Sequence, residues 1–171
     1  MKVSQPELIG ATDLADFPDL GWYNVPVRID SGATTSSIHC AKVRLVKEGE
    51  HTYLRFFLDA KKGAPEQSFS VSDFKETIVR NSSGKEEKRY VIKTYIRLFG
   101  RKIRTEFSLA NRKKMSYPVL LGRKLLKGRF IIDVSQKDLS AKRDAGKNRP
   151  ERSAHQNHSG DHQPHALKLT E

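Results

Sequence analysis

Four stretches of this chain place apolar residues at every second position, and that period fixes what the chain can become. Val25, Val27 and Ile29 alternate with Pro26 and Arg28, and Leu54, Phe56 and Leu58 alternate with Arg55 and Phe57. Ile92, Thr94, Ile96 and Leu98 alternate with Lys93, Tyr95 and Arg97. The same face resumes after Gly100 with Ile103, Thr105, Phe107 and Leu109. Successive side chains of an extended strand point to opposite faces, so this pattern specifies half-buried strands and is incompatible with helices. Turn chemistry at Phe99-Gly100-Arg101 and at Asn81-Ser82-Ser83-Gly84-Lys85 predicts antiparallel hairpins. One short helix is expected, Arg123 to Lys127, between Gly122 and Gly128. Several short strands at this density predict an all-β domain, a small barrel or sandwich.

The extent of that domain follows from the aromatics. All 14 of them, one Trp, five Tyr and eight Phe, lie between Phe17 and Phe130 in a chain of 171 residues. From Gln136 onward the chain is polar, rich in Gly, Pro, Asn and Gln, and has too little apolar surface to offset its ordering entropy. The sequence therefore predicts a folded domain over 1–135 and a disordered tail over 136–171. Four of the six histidines, His155, His158, His162 and His165, fall in the tail. Imidazoles suit zinc, copper or nickel, but a solvated tail tolerates them equally, and no metal site is assigned. The single cysteine, Cys40, excludes an intramolecular disulfide and any multi-cysteine metal centre. No basic and apolar leader opens the sequence, and no apolar run reaches the roughly 20 residues of a membrane span. A cytoplasmic protein with no membrane partner is expected.

The formal net charge of +12 is concentrated. Residues 97–129 hold eleven Lys and Arg against one acid, Glu106. Such a block attracts an anionic partner, although a solvated basic face is the blander reading. Nucleic acid is not favoured, because no aromatic reading motif accompanies the block.

The stretch Val27-Arg28-Ile29-Asp30-Ser31-Gly32-Ala33-Thr34-Thr35 carries the candidate chemistry. An apolar strand runs directly into Asp-Ser-Gly. Asp30 can then meet a second carboxylate across a two-fold axis. Two carboxylates about 3 Å apart share one proton, so one activates water while the other polarises a carbonyl. Taken alone the tripeptide is a common turn. A second segment, Pro118-Val119-Leu120-Leu121-Gly122-Arg123-Lys124-Leu125-Leu126, supplies an apolar strand, Gly-Arg and a short helix in the order of an aspartic protease lobe. No other Asp is followed by [Ser/Thr]-Gly. The two segments together resemble the retropepsins, and one Asp per chain implies a homodimer. Phosphate-loop, dinucleotide, zincin and serine-hydrolase motifs are all missing.

Further segments sharpen the resemblance. Leu8-Ile9-Gly10, Phe17-Pro18-Asp19-Leu20-Gly21, Arg28 to His39, Arg89-Tyr90-Val91-Ile92, Asn111 to Arg123 and Leu126 to Phe130 are similar to a bacterial family traditionally called ATP-dependent zinc proteases, retropepsin-like and RimB-like. Some members are associated with RimK, a ligase that adds glutamates to a ribosomal protein. The resemblance implies a closed retropepsin-like barrel, one lobe per chain, with one short α-helix. It implies an aspartic peptidase with Asp30, Ser31 and Gly32 as the catalytic motif. Ser31 stands where the motif usually has Thr; it keeps the hydroxyl and loses a methyl contact. It also implies an acidic peptide or glutamylated ribosomal protein as substrate, bound by Arg89, Arg112 and Arg123, with Arg101, Arg104, Lys113 and Lys114 steering. Arg123 has an equal claim to a role in the fold or dimer. The flap is expected either in 59–72 or in the 77–92 hairpin.

Neither word of the traditional name is supported by the residues. ATP needs a phosphate cradle, and catalytic zinc needs about three ligands where the domain offers His39, Cys40, His51 and scattered acids. No cofactor is expected. Two other readings stay open: a non-catalytic module that holds an acidic partner on its basic face, and a zinc-dependent peptidase.

Overall fold

The computed structural model describes residues 4–58, 66–80, 82–111 and 116–147. Its strands are β1 (Glu7–Ile9), β2 (Thr12–Phe17), β3 (Trp22–Ile29), β4 (Ser36–His39), β5 (Lys42–Glu48) and β6 (His51–Leu58). They continue as β7 (Gln67–Val71), β8 (Phe74–Arg80), β9 (Glu86–Leu98), β10 (Arg101–Ala110) and β11 (Val119–Leu121). After β11 come helix α1 (Arg123–Leu126), strand β12 (Phe130–Ile132) and helix α2 (Leu139–Lys147). Each alternating segment of the sequence is found inside a strand, and both expected hairpins, β8–β9 and β9–β10, form.

The main sheet runs β10-β4-β11-β3-β2-β9-β8, and β9 pairs back onto β10. That extra pairing closes six strands into a barrel and leaves β8 as an outer strand on β9. Closure leaves the six barrel strands without the free edges that would otherwise invite aggregation. The barrel interior holds Phe17, Val27, Ile38, Ile92, Ile96, Leu98, Phe107, Val119 and Leu121, all buried. Each such large side chain contributes on the order of 1.5–3 kcal/mol by leaving water. A three-stranded antiparallel sheet, β5-β6-β7, adds Leu54, Phe56 and Leu58 to the same core.

Not every strand pair is antiparallel, as the alternation had suggested. β11 inserts between β3 and β4, parallel to the first and antiparallel to the second. β10 is parallel to β4, and β1 to β12. Hairpin signals are local and report only antiparallel neighbours; these parallel pairs join segments far apart in the chain.

The boundary expected at residue 135 falls too early, and a second helix was not foreseen. Gln136 O accepts the Ala11 N–H at 2.8 Å, and a Cβ on Gly10 would lie 2.3 Å from that same oxygen. Beyond it, α2 packs on β1 and β2. Its first turn is capped from across the chain: Asp13 Oδ2 accepts the Ser140 N–H at 2.9 Å, and Oδ1 accepts those of Ala141 (3.2 Å) and Leu14 (2.8 Å). Ser140 Oγ accepts the Phe99 N–H, and Arg143 donates to Phe99 O and Glu7. The helix carries little apolar surface and is held by polar contacts, which hydrophobic patterning does not register. Residues 148–171, with the four tail histidines, lie outside the described residues. No described helix is long and apolar enough to cross a membrane.

Candidate active site

Asp30 follows the last residue of β3, where strand pairing ends and the backbone turns. Its N–H donates to Leu121 O at 2.9 Å, so β11 fixes the start of the loop. Its Oδ1 accepts the Gly32 N–H at 3.0 Å, closing a local turn. Asp30 is half-buried, while Ser31, Gly32 and Thr34 are exposed.

The far side of the loop is held by the start of α1. Arg123 N–H donates to Ala33 O (2.8 Å) and Lys124 N–H to Thr34 O (3.0 Å). The Arg123 guanidinium spans the loop, donating to Ser31 O and Thr34 Oγ1, both at 2.9 Å. Those donors act as a brace, which favours the structural role considered for Arg123. Gly122 passes against the loop backbone, with its N–H on Ser36 Oγ at 3.0 Å. A Cβ there would sit 2.8 Å from Thr35 C and 2.9 Å from Ala33 O, backbone atoms that cannot swing aside. Gly122→Ala is therefore expected to cost about 2–4 kcal/mol by forcing the loop off β11, read as a lowered thermal midpoint.

Beside the loop lies a groove of about 380 Å³. One wall is Ala33, Thr34, Thr35 and Lys124; the other is Lys75, Thr77, Val79, Arg89 and Val91 of the β8–β9 hairpin. This hairpin is one of the two flap candidates; residues 59–65 of the other lie outside the described residues. Arg89 donates to Glu87, and its Nε is buried without a partner among the described residues. Glu106 and Ser108 complete the lining from β10. Glu106 accepts from Lys75 Nζ at 2.7 Å and from Lys124 Nζ at 2.8 Å.

Hydrogen bonds from these two ammonium groups, Lys124 first, hold the Glu106 carboxyl down at about 2. A depressed carboxyl contributes stability that is complete above its ordinary value near 4.5 and vanishes as pH falls through about 2. Acid titration followed by circular dichroism is expected to show wild type more stable than Glu106→Gln at pH 5, by about 1–2 kcal/mol, and level with it near pH 2.

Of the other basic candidates, the two that are described, Arg101 and Arg104, do not line the groove. Arg101 begins β10, six residues before Phe107, which pairs with Ser36 at the loop end. At about 3.3 Å per residue that is roughly 20 Å away. Arg104 is exposed and faces Asp73 at 4.0 Å. Arg112, Lys113 and Lys114 lie outside the described residues. Lys75 and Lys124 were missed as site residues. Lys124 sits in the basic block and adjoins Arg123, which was a readable signal; Lys75, in a balanced segment, had none. His39 and Cys40 are buried and His51 is exposed. Among the described residues no three His, Cys, Asp or Glu side chains converge as a metal site.

A six-stranded barrel in which one buried strand threads between two others and pins an Asp-Ser-Gly loop is a retropepsin-like lobe. The chain belongs to the RimB-like family, described as "Retropepsin-like aspartic endopeptidase RimB", whose match covers residues 10–143. Curated relatives named "Probable alpha-L-glutamate ligase" are similar as well. The protein from Shewanella pealeana is 35% identical over 133 residues, 75% of this chain and 29% of that protein. The one from Desulfotalea psychrophila is 33% identical over 131 residues, 74% and 28%. The chain thus spans under a third of the length of these relatives. Among solved structures, Lpg0085 of Legionella pneumophila, of unknown function, shares the fold. Its TM-score is 0.64 at 24% identity, over 78% of this chain and 98% of that one.

Proposed function

We propose that this protein is an aspartic-type hydrolase of acidic peptide chains, cytoplasmic and active as a homodimer that brings two Asp30 carboxylates together. The observation that carries the reading is a shared wall. Thr34 and Lys124, which bound the Asp30 loop, also bound a groove presenting three cations, Lys75, Arg89 and Lys124, against one carboxylate. A chain of carboxylates laid in that groove meets charge-assisted donors and passes beside Asp30. One carboxylate of the dyad takes a proton from water as the other donates to the scissile carbonyl oxygen. An apolar surface next to the loop supports the dimer: Leu126, Phe130 and Ile132 line a depression with Ser31 and Thr34. On the adjoining strands Leu8 and Ile131 are cross-strand partners and are 43% and 59% exposed. The glutamate-ligase name of the relatives favours glutamyl chains as the acidic substrate, and the family resemblance adds a glutamylated ribosomal protein as their source.

The test is mass spectrometry of a peptide ending in several glutamates, incubated with purified protein, beside a neutral peptide and a chelator arm. Glutamate loss from the acidic peptide only, untouched by chelator, supports the reading. Binding without cleavage favours a non-catalytic module, and loss of cleavage with chelator a zinc peptidase.

A further inference from the structure

Glu106 is the one acid of the basic block, and the fold places it in the groove the substrate would occupy. Its side chain is only 16% exposed, and its two oxygens are divided between ammonium groups on different elements: Lys75 on β8 and Lys124 on α1. Lys93 stands directly across from it on β9. Asp73 lines the small neighbouring cavity together with Lys75, Lys93 and Glu106. The lysines themselves remain about half exposed, at 57% and 48%, with donors free to face the groove.

A carboxylate held between two ammonium groups in the groove that Ala33, Thr34 and Thr35 of the Asp30 loop also line is the chemistry expected of a bound acidic side chain. We propose that Glu106 is a resident carboxylate that competes with the substrate for Lys75 and Lys124, tempering the groove's hold on polyanionic chains so that acidic products can leave. This deepens the function proposed above and rests on it for the identity of the ligand. Both substrate and product of such a hydrolase are polyanions, so an unopposed groove of three cations would retain product. Because the carboxyl stays ionised well below its ordinary range, the competitor is present at any working pH. A purely structural clasp would act otherwise: it would hold the hairpin to α1, and its removal would loosen the groove and weaken binding.

Binding is measured in an Asp30→Asn background, so that nothing is cleaved, using fluorescently labelled hexaglutamate. Glu106→Gln is expected to bind about five- to tenfold more tightly, as one charge within several ångströms of the ligand is removed. The difference should shrink as salt is added. Lys124→Ala is expected to bind more weakly than its parent. In the Asp30 enzyme, Glu106→Gln is expected to lower KM and kcat together, the signature of slowed release. Unchanged or weaker binding by Glu106→Gln, or no binding by any form, overturns the proposal. Cleavage by the Asp30 enzyme is scored separately: its absence defeats the hydrolase reading and leaves the binding comparison to decide the role of Glu106.

Discussion

A chain ending at Ser135 is expected to lose about 4 kcal/mol of stability, whereas a chain ending at Lys147 should melt with the full-length protein. The shorter truncation removes Leu139, packed against the core, and Ser140, which is buried. It also strips two of the three N–H donors from Asp13, which is 1% exposed. Burial already pushes the Asp13 carboxyl above its usual range, against the backbone N–H groups of Ser140, Leu14 and Ala141 that draw it down. Without α2 this acid keeps only the Leu14 donor of the three, and each hydrogen bond to a charged group that is lost costs about 1.5–3 kcal/mol before water replaces part of it. The Phe99 N–H and C=O lose their partners in the same cut. For a domain of this size the loss corresponds to a midpoint roughly 10–20 °C lower, readable by calorimetry. Equal midpoints for the two truncations would show that α2 adds nothing.

The second large effect concerns Asp30. Asp30→Asn is expected to reduce cleavage of a glutamate-ended peptide by about 10²–10⁴-fold, with the melting midpoint and hexaglutamate binding near wild type. The substitution is informative because the amide keeps an Oδ1 that can accept the Gly32 N–H, as the carboxylate does. The loop is otherwise tied by backbone and Arg123 contacts that the change does not touch. Lost activity then reports a lost proton acceptor. Full activity in the variant would remove Asp30 from the chemistry and with it the aspartic mechanism.

What the amino acids disclose in advance divides along a physical line. Period-two alternation exposed the middle of β3, β6, β9 and β10, because their inner faces are paved by large apolar side chains. Turn chemistry exposed the two hairpins, and Gly122-Arg123 exposed α1. β1, β12 and α2 gave no comparable signal. The two strands are three residues long, too short to display a period, and α2 buries only Ser140 outright. The Asp30 loop was legible as a motif together with the segment that pins it. The groove was legible only as charge. Lys75 reaches it because β8 pairs with β9 and forms the groove wall opposite Ala33, Thr34 and Thr35, a relation between distant segments that no local pattern encodes.

The threading of β11 between β3 and β4 also orders events in time. Asp30 leaves the ribosome about 90 residues ahead of Leu121, the residue whose carbonyl receives its N–H. At the usual pace of synthesis, several seconds separate the two. During that interval the loop lacks its central strand, its brace and its glycine contact. Contacts of such long sequence separation also make for slow folding. The Asp30 loop is therefore among the last parts of the lobe to take its final shape.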